Sequence, residues 1–317
     1  MIQSIMLHGI LQRSGTNLLN EILLLSPDVT QPVLKIRENW FLHHSDYFYE
    51  YADKLFEHWS DAKWQGDDFC KQGFYRQVGD AFLNYIGQNN TGLPEKMLIS
   101  KTPSVRRLAR NFEMFPESKL IIITRDPRDV AASAFGTWGS PIRSTVHEWN
   151  EAAVAIADFE SMAETDTYML LRYEDLITDQ VHWVKQCLSF LGLPHDNYPW
   201  SKLEALPVFG SSDDKGKFEI KAATDSFQPV NRWESLPAQE KDMFAYLNDT
   251  AMSYFGYVAD NERNSLPPLN ARRRTGADLA ADFAHERERK TMSSGRKAKF
   301  RKALKLMAEA LTGSNER

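Results

Sequence analysis

Arg13-Ser14-Gly15-Thr16-Asn17 and, farther along, Arg125 and Ser133 are residues whose types and spacing suit chemistry on a phosphate. Each set joins a guanidinium to hydroxyl groups, and a guanidinium makes bidentate, charge-assisted contacts with phosphate oxygens. The first set follows an apolar run, Ile2 to Ile10, and leads into Leu18, Leu19, Ile22, Leu23 and Leu25 at helical spacing. It therefore occupies a strand-to-helix turn. Orphan N–H groups and the positive end of the helix dipole favour an anion there, and Gly15 lets backbone approach an oxygen closely. The turn is not a Walker A loop, because no Lys follows Gly15.

The elements that must position the second set repeat this design. Lys119-Leu120-Ile121-Ile122-Ile123-Thr124 is a β-branched run fit for a central parallel strand. Asp126 is a good N-cap and Pro127 suits the first helical position, so Arg125 leaves the carboxyl end of the strand and Ser133 lies on the next helix. Ligands of open α/β sheets bind in the crevice at those strand ends.

The pair formed by the Arg13-Ser-Gly-Thr16 loop and Arg125-Asp-Pro-Arg-Asp-Val-Ala-Ala-Ser133 resembles the sulfotransferases that use 3′-phosphoadenosine 5′-phosphosulfate (PAPS). The resemblance implies that Arg13, Ser14, Gly15, Thr16 and Asn17 hold the 5′-phosphosulfate, and that Arg125 and Ser133 hold the 3′-phosphate. Asn17 stands where Thr or Ser is usual, but an amide still donates and accepts. Lys101-Thr102-Pro103 resembles an element of the glycan-type branch, Tyr173-Glu-Asp-Leu176 the end of a late strand, and Asn231-Arg232-Trp233 the element before the last domain helix. Residues 210–229, with Lys215, Lys217 and Lys221, have the character of a late loop closing over the nucleotide, where the lysines either meet the 3′-phosphate side or stay solvated. Lys221 and Arg232 are counted with the cofactor set.

Sulfuryl transfer requires aligned partners, stabilised charge on the bridging oxygen and removal of a proton from the nucleophile. It needs no metal. The resemblance assigns the positive charge to Lys101. It assigns the general base to Glu38, which follows Ser26-Pro27-Asp28-Val29 in a stretch similar to the Glu-x-x-Phe-Phe of the glycan-type enzymes. His43 is the second candidate base, with an ordinary pKa near 6.5.

The expected fold is α/β: a central parallel sheet flanked by helices, P-loop-like, with a helical insertion and a helical C-terminal tail. A catalytic domain is expected over residues 1–260 and a basic extension over 261–317. From Ala271 onward thirteen Lys and Arg face six Asp and Glu, a net of +7, whereas the preceding residues carry −12. Such a tail suits docking on the acidic body, on a partner subunit of a homo-oligomer or on anionic lipid; a solvated helix is the plainer alternative. Its charge comes with no nucleic-acid recognition motif, so no nucleic-acid partner is expected. Cys70 and Cys187 are too few for a disulfide framework and lack metal-like spacing. With no 18-residue apolar run and a strand starting beside Met1, a cytoplasmic protein is expected. The aromatic-rich residues 39–85 suit a glycan or small hydroxylated acceptor, although most of their rings are core candidates. Two other functions fit the same cradle: a P-loop small-molecule kinase, and a non-catalytic nucleotide-binding module.

Overall fold

In the computed structural model, the described residues are 2–34, 36, 38–59, 70–164, 166–206, 208–209, 220–221 and 229–257. The expected C-terminal extension, together with Lys215 and Lys217, lies outside them.

Five strands form one all-parallel sheet in the order β2-β3-β1-β4-β5: β1 Ser4–Gly9, β2 Val29–Thr30, β3 Met97–Thr102, β4 Lys119–Thr124 and β5 Tyr168–Arg172. The helices between them are α1 Thr16–Leu24, α2 Asp46–Trp59, α3 Lys71–Gly87, α4 Asn111–Met114, α5 Pro127–Trp138 and α6 Ile142–Glu160. After β5 come α7 Tyr173–Thr178 and α8 Gln180–Leu191. An antiparallel pair, β6 Val208–Phe209 and β7 Ile220–Lys221, follows; the Lys221 side chain is outside the described residues.

The near-continuous apolar strands are explained by burial on both faces. Ile5, Leu7, Ile121 and Ile123 point into one core with Leu19, Ile22, Val184 and Leu188 from α1 and α8. Met6, Leu120 and Ile122 alternate into the other, with Trp149, Ile156 and Phe159 of α6. On that second face α3 lies so close to α4 that a Cβ on Gly79 would sit 1.9 Å from the Met114 carbonyl oxygen.

One sequence expectation is corrected. Tyr173-Glu174-Asp175-Leu176 does not end a strand but opens α7, because β5 stops at Arg172. The aromatic-rich residues expected to line an acceptor site form α2 and α3, after β2, and the described rings are mostly packed against the core, as with Phe41 on Phe82 at 4.2 Å and Tyr49 on Tyr75 at 4.1 Å. No helix of the described residues is long and apolar enough to cross a membrane.

Candidate active site

The chain runs from β1 towards β2 and β3 on one side, then crosses to β4 and β5 on the other, so the sheet switches direction between β1 and β4. Both phosphate-type loops stand at that switch point, at the carboxyl ends of these two strands.

The first loop is shaped by backbone. Arg13 (φ 75°) and Gly15 (φ 95°) are left-handed on either side of Ser14, an alternation of the kind that gathers N–H groups into an anion-binding concavity. Ser14 Oγ accepts the Leu11 N–H at 3.3 Å, closing the loop on itself. The helix α1 begins with no side-chain cap and no acidic residue in its first turn, which leaves its orphan N–H groups and dipole to an anion. Gly15 is also sterically required, since a Cβ there would lie 2.3 Å from the Tyr173 ring.

The second loop works through side chains. Asp126 caps α5 by accepting the Arg128 N–H and also pairs with the Arg128 guanidinium at 2.7 Å, so this helix end is already occupied. What converges instead are guanidiniums. Arg13 Nε donates to Ser133 Oγ at 3.0 Å and Arg232 donates to the same oxygen at 3.3 Å. Arg125 donates to the Arg13 carbonyl at 2.7 Å and to the Pro229 carbonyl at 2.5 Å, while its buried Nε finds no protein partner. Its cationic carbon lies 4.5 Å from the Tyr173 ring. Burial, then repulsion from Arg125 and Arg232, pushes the Arg13 pKa down to about 10. Asp129 does not neutralise this cluster by a direct ion pair: its oxygens accept the N–H groups of Asn231 and Trp233 and so anchor the Arg232 segment. Burial raises its pKa.

On the other side of β1, Lys101, the penultimate residue of β3, is nearly buried and donates to Asn17 Oδ1 of the first loop. The Asn at that position thus holds the lysine. Glu38 Oε1 lies 4.0 Å from Lys101 Nζ, and the Asn39 N–H donates to the Lys101 carbonyl at 2.7 Å, which fixes the two segments side by side. His43 sits farther along the same segment. Arg106 donates to its Nε2 at 3.3 Å, so Nδ1 carries the proton and points to Ser104 Oγ at 3.2 Å. Burial, then Arg106, lowers the His43 pKa.

The described residues expected from sequence are therefore brought together, apart from His43, whose accepting nitrogen is engaged by Arg106; the Lys221 side chain lies outside the described residues. Tyr173 and Glu174 were missed as site residues, although the Tyr-Glu-Asp-Leu run marked the segment. Glu174 accepts the Asp126 N–H at 2.9 Å and the Tyr257 hydroxyl at 3.1 Å, beneath the Arg125 loop. Burial pushes its pKa up to about 7. A carboxyl with a folded pKa above its unfolded value adds stability fully below the unfolded value, about 4.5, and loses it as pH rises through 7. The Glu174→Gln variant should accordingly gain on the wild type by about 3 kcal/mol between pH 4.5 and 7, read as the difference of urea-unfolding free energies. A difference that stays flat across that window would show that Glu174 ionises normally.

Three comparisons bear on this site. A model described as the sulfotransferase family matches residues 9–197, more than half of the chain. A protein-tyrosine sulfotransferase of Drosophila melanogaster is 23% identical over 202 residues, 59% of this chain and 37% of that one. The chain thus spans little more than a third of the length of that curated relative. Among solved structures, the sulfotransferase domain of the Synechococcus PCC 7002 olefin synthase is 21% identical with a TM-score of 0.48, covering 77% of this chain and 94% of that one. A mouse sulfotransferase complexed with 3′-phosphoadenosine 5′-phosphate (PAP) is 14% identical with a TM-score of 0.41, covering 87% of each chain.

Proposed function

The chain belongs to the sulfotransferase family, and on that premise we propose that it transfers the sulfuryl group of PAPS to a hydroxyl of a glycan or other hydroxylated metabolite, in the cytoplasm. The observation that carries the donor assignment is the convergence of Arg13 and Arg232 on Ser133 Oγ beside Arg125. Guanidiniums crowded this way repel one another, and Asp129 beside them is engaged by backbone. A dianion relieves that repulsion and satisfies the Arg125 Nε, so the residues fit the 3′-phosphate of the donor. The uncapped start of α1 and the Arg13–Asn17 loop suit its phosphosulfate end.

When bound, the donor supplies a sulfuryl group on a phosphate leaving group. Lys101 is positioned by Asn17 at the mouth of the first loop, where an ammonium stabilises charge developing on the bridging oxygen. Glu38 takes the acceptor proton as general base. It is preferred to His43, since a base at His43 Nε2 would first have to displace Arg106.

A calorimetric titration with PAP, run beside one with ATP and Mg²⁺, tests the reading. Micromolar or tighter binding of PAP with none of ATP is expected; the reverse would favour the P-loop kinase.

A further inference from the structure

A cationic surface lies on the Lys101 side of β1, apart from Arg125 and Arg232. Arg106, Arg107 and Arg110 all turn towards one carboxylate, Asp46, whose Oδ2 accepts from Arg107 at 2.8 Å and whose Oδ1 accepts from Arg110 at 2.7 Å. Arg106 is left 4.0 Å from Asp46, with a neutral imidazole nitrogen as its hydrogen-bond acceptor. Arg110 is half-buried over the Tyr49 ring, 3.7 Å from its centroid, but the Arg106 and Arg107 side chains are 54% and 43% exposed. Three guanidiniums against one carboxylate leave a local excess of positive charge on a body that is otherwise acidic.

The patch is tied to the reacting centre by covalent and hydrogen-bonded geometry. Ser104 follows Lys101 by three residues, a span of at most about 10 Å. Its carbonyl accepts from His8 Nδ1 at 2.7 Å and its hydroxyl accepts from the Arg106 N–H at 3.2 Å and from His43. Glu38 and Lys101 thus stand at one end of two packed segments, and His43, Arg106 and Arg107 at the other. Arg125 and Arg232, the cations assigned to the donor, belong to the opposite side of β1, which leaves this charge on the side of Glu38 and Lys101.

We infer that the acceptor carries an anionic group, a carboxylate or sulfate, beside the hydroxyl to be sulfated, and that Arg106 and Arg107 bind it. Trp40, edge-on to His43 at 5.2 Å, borders the same surface. The inference rests on the sulfotransferase reading and narrows its acceptor.

The test is an NMR titration of the His43 imidazole in the PAP-saturated protein, because PAP fills the donor's anion site first. Inorganic sulfate should shift the His43 signal saturably. For hydroxyl-bearing probes, 4-hydroxyphenylacetate should do so with a midpoint at least about tenfold lower than 4-hydroxyphenylacetamide, the difference expected of one charge-assisted contact. Arg106→Gln should abolish both the sulfate effect and the preference while PAP affinity holds. Arg106→Gln/Arg107→Gln, checked for folding by its unfolding midpoint, should do the same. Absence of a saturable shift, equal midpoints for the two phenols, or an unchanged preference in Arg106→Gln would overturn the inference. Failure of PAP to bind at the outset would instead count against the donor reading.

Discussion

Arg125→Ala should weaken PAP binding by about 100- to 1000-fold, the range for losing one partner of a desolvated charge pair, while adenosine 5′-monophosphate binding changes only a fewfold. The reason is local. Arg125 is held from three sides, by the Arg13 carbonyl, the Pro229 carbonyl and the Tyr173 ring, so its guanidinium is pre-aimed and its loss leaves the 3′-phosphate without its central partner. Ser133→Ala should cost less, about tenfold, because it removes one neutral hydroxyl and leaves the guanidiniums in place. Calorimetry with both nucleotides decides the matter: equal losses for PAP and adenosine 5′-monophosphate would mean that Arg125 shapes the loop and does not read the 3′-phosphate.

Lys101→Ala should lower kcat by about 10²- to 10³-fold, as for removal of a preorganised donor at a developing anion. Glu38→Gln should lower it by about 10²- to 10⁴-fold, the span of general-base catalysis. Their 4.0 Å approach predicts that the double variant loses less than the product of the single losses, because the two groups act on one transition state. Single-turnover sulfuryl transfer, with PAP affinity measured alongside, checks this. A Glu38→Gln enzyme with wild-type kcat would remove Glu38 from the mechanism and return attention to His43.

Much of this site could be read before any fold was known, because its two loops are local devices. Apolar strand, turn residues and helical spacing are each encoded within about ten neighbouring positions, and so the strand-to-helix turns carrying Arg13, Ser14 and Arg125, and the helix carrying Ser133, are legible in the sequence. The N-cap at Asp126 and Pro127 at the helix start behaved as their chemistry dictates. What escaped depends on distant packing. Tyr173 becomes a site residue because it fills the space above Gly15 and faces Arg125, contacts that no window of sequence contains. Its motif resembled the end of a strand, yet Glu174 and Asp175 favour a helix first turn, and the chain bends there. Similarly, His43 carries a suitable pKa as a free residue and becomes a weaker base through burial and through Arg106, which approaches from sixty residues downstream.

The register of the sheet has a bearing on how the protein is made. β1 has no local partner: Ser4 aligns with Leu98 and Ile5 with Lys119. During synthesis the Arg13–Asn17 loop hangs from an unpaired strand until both β3 and β4 emerge. The Pro229 carbonyl and Arg232, which complete the guanidinium cluster, arrive later still. Contacts this far apart in sequence form slowly and expose apolar strands meanwhile. Nascent chains therefore pass through a long interval in which the strands are present but the guanidinium cluster is not yet assembled.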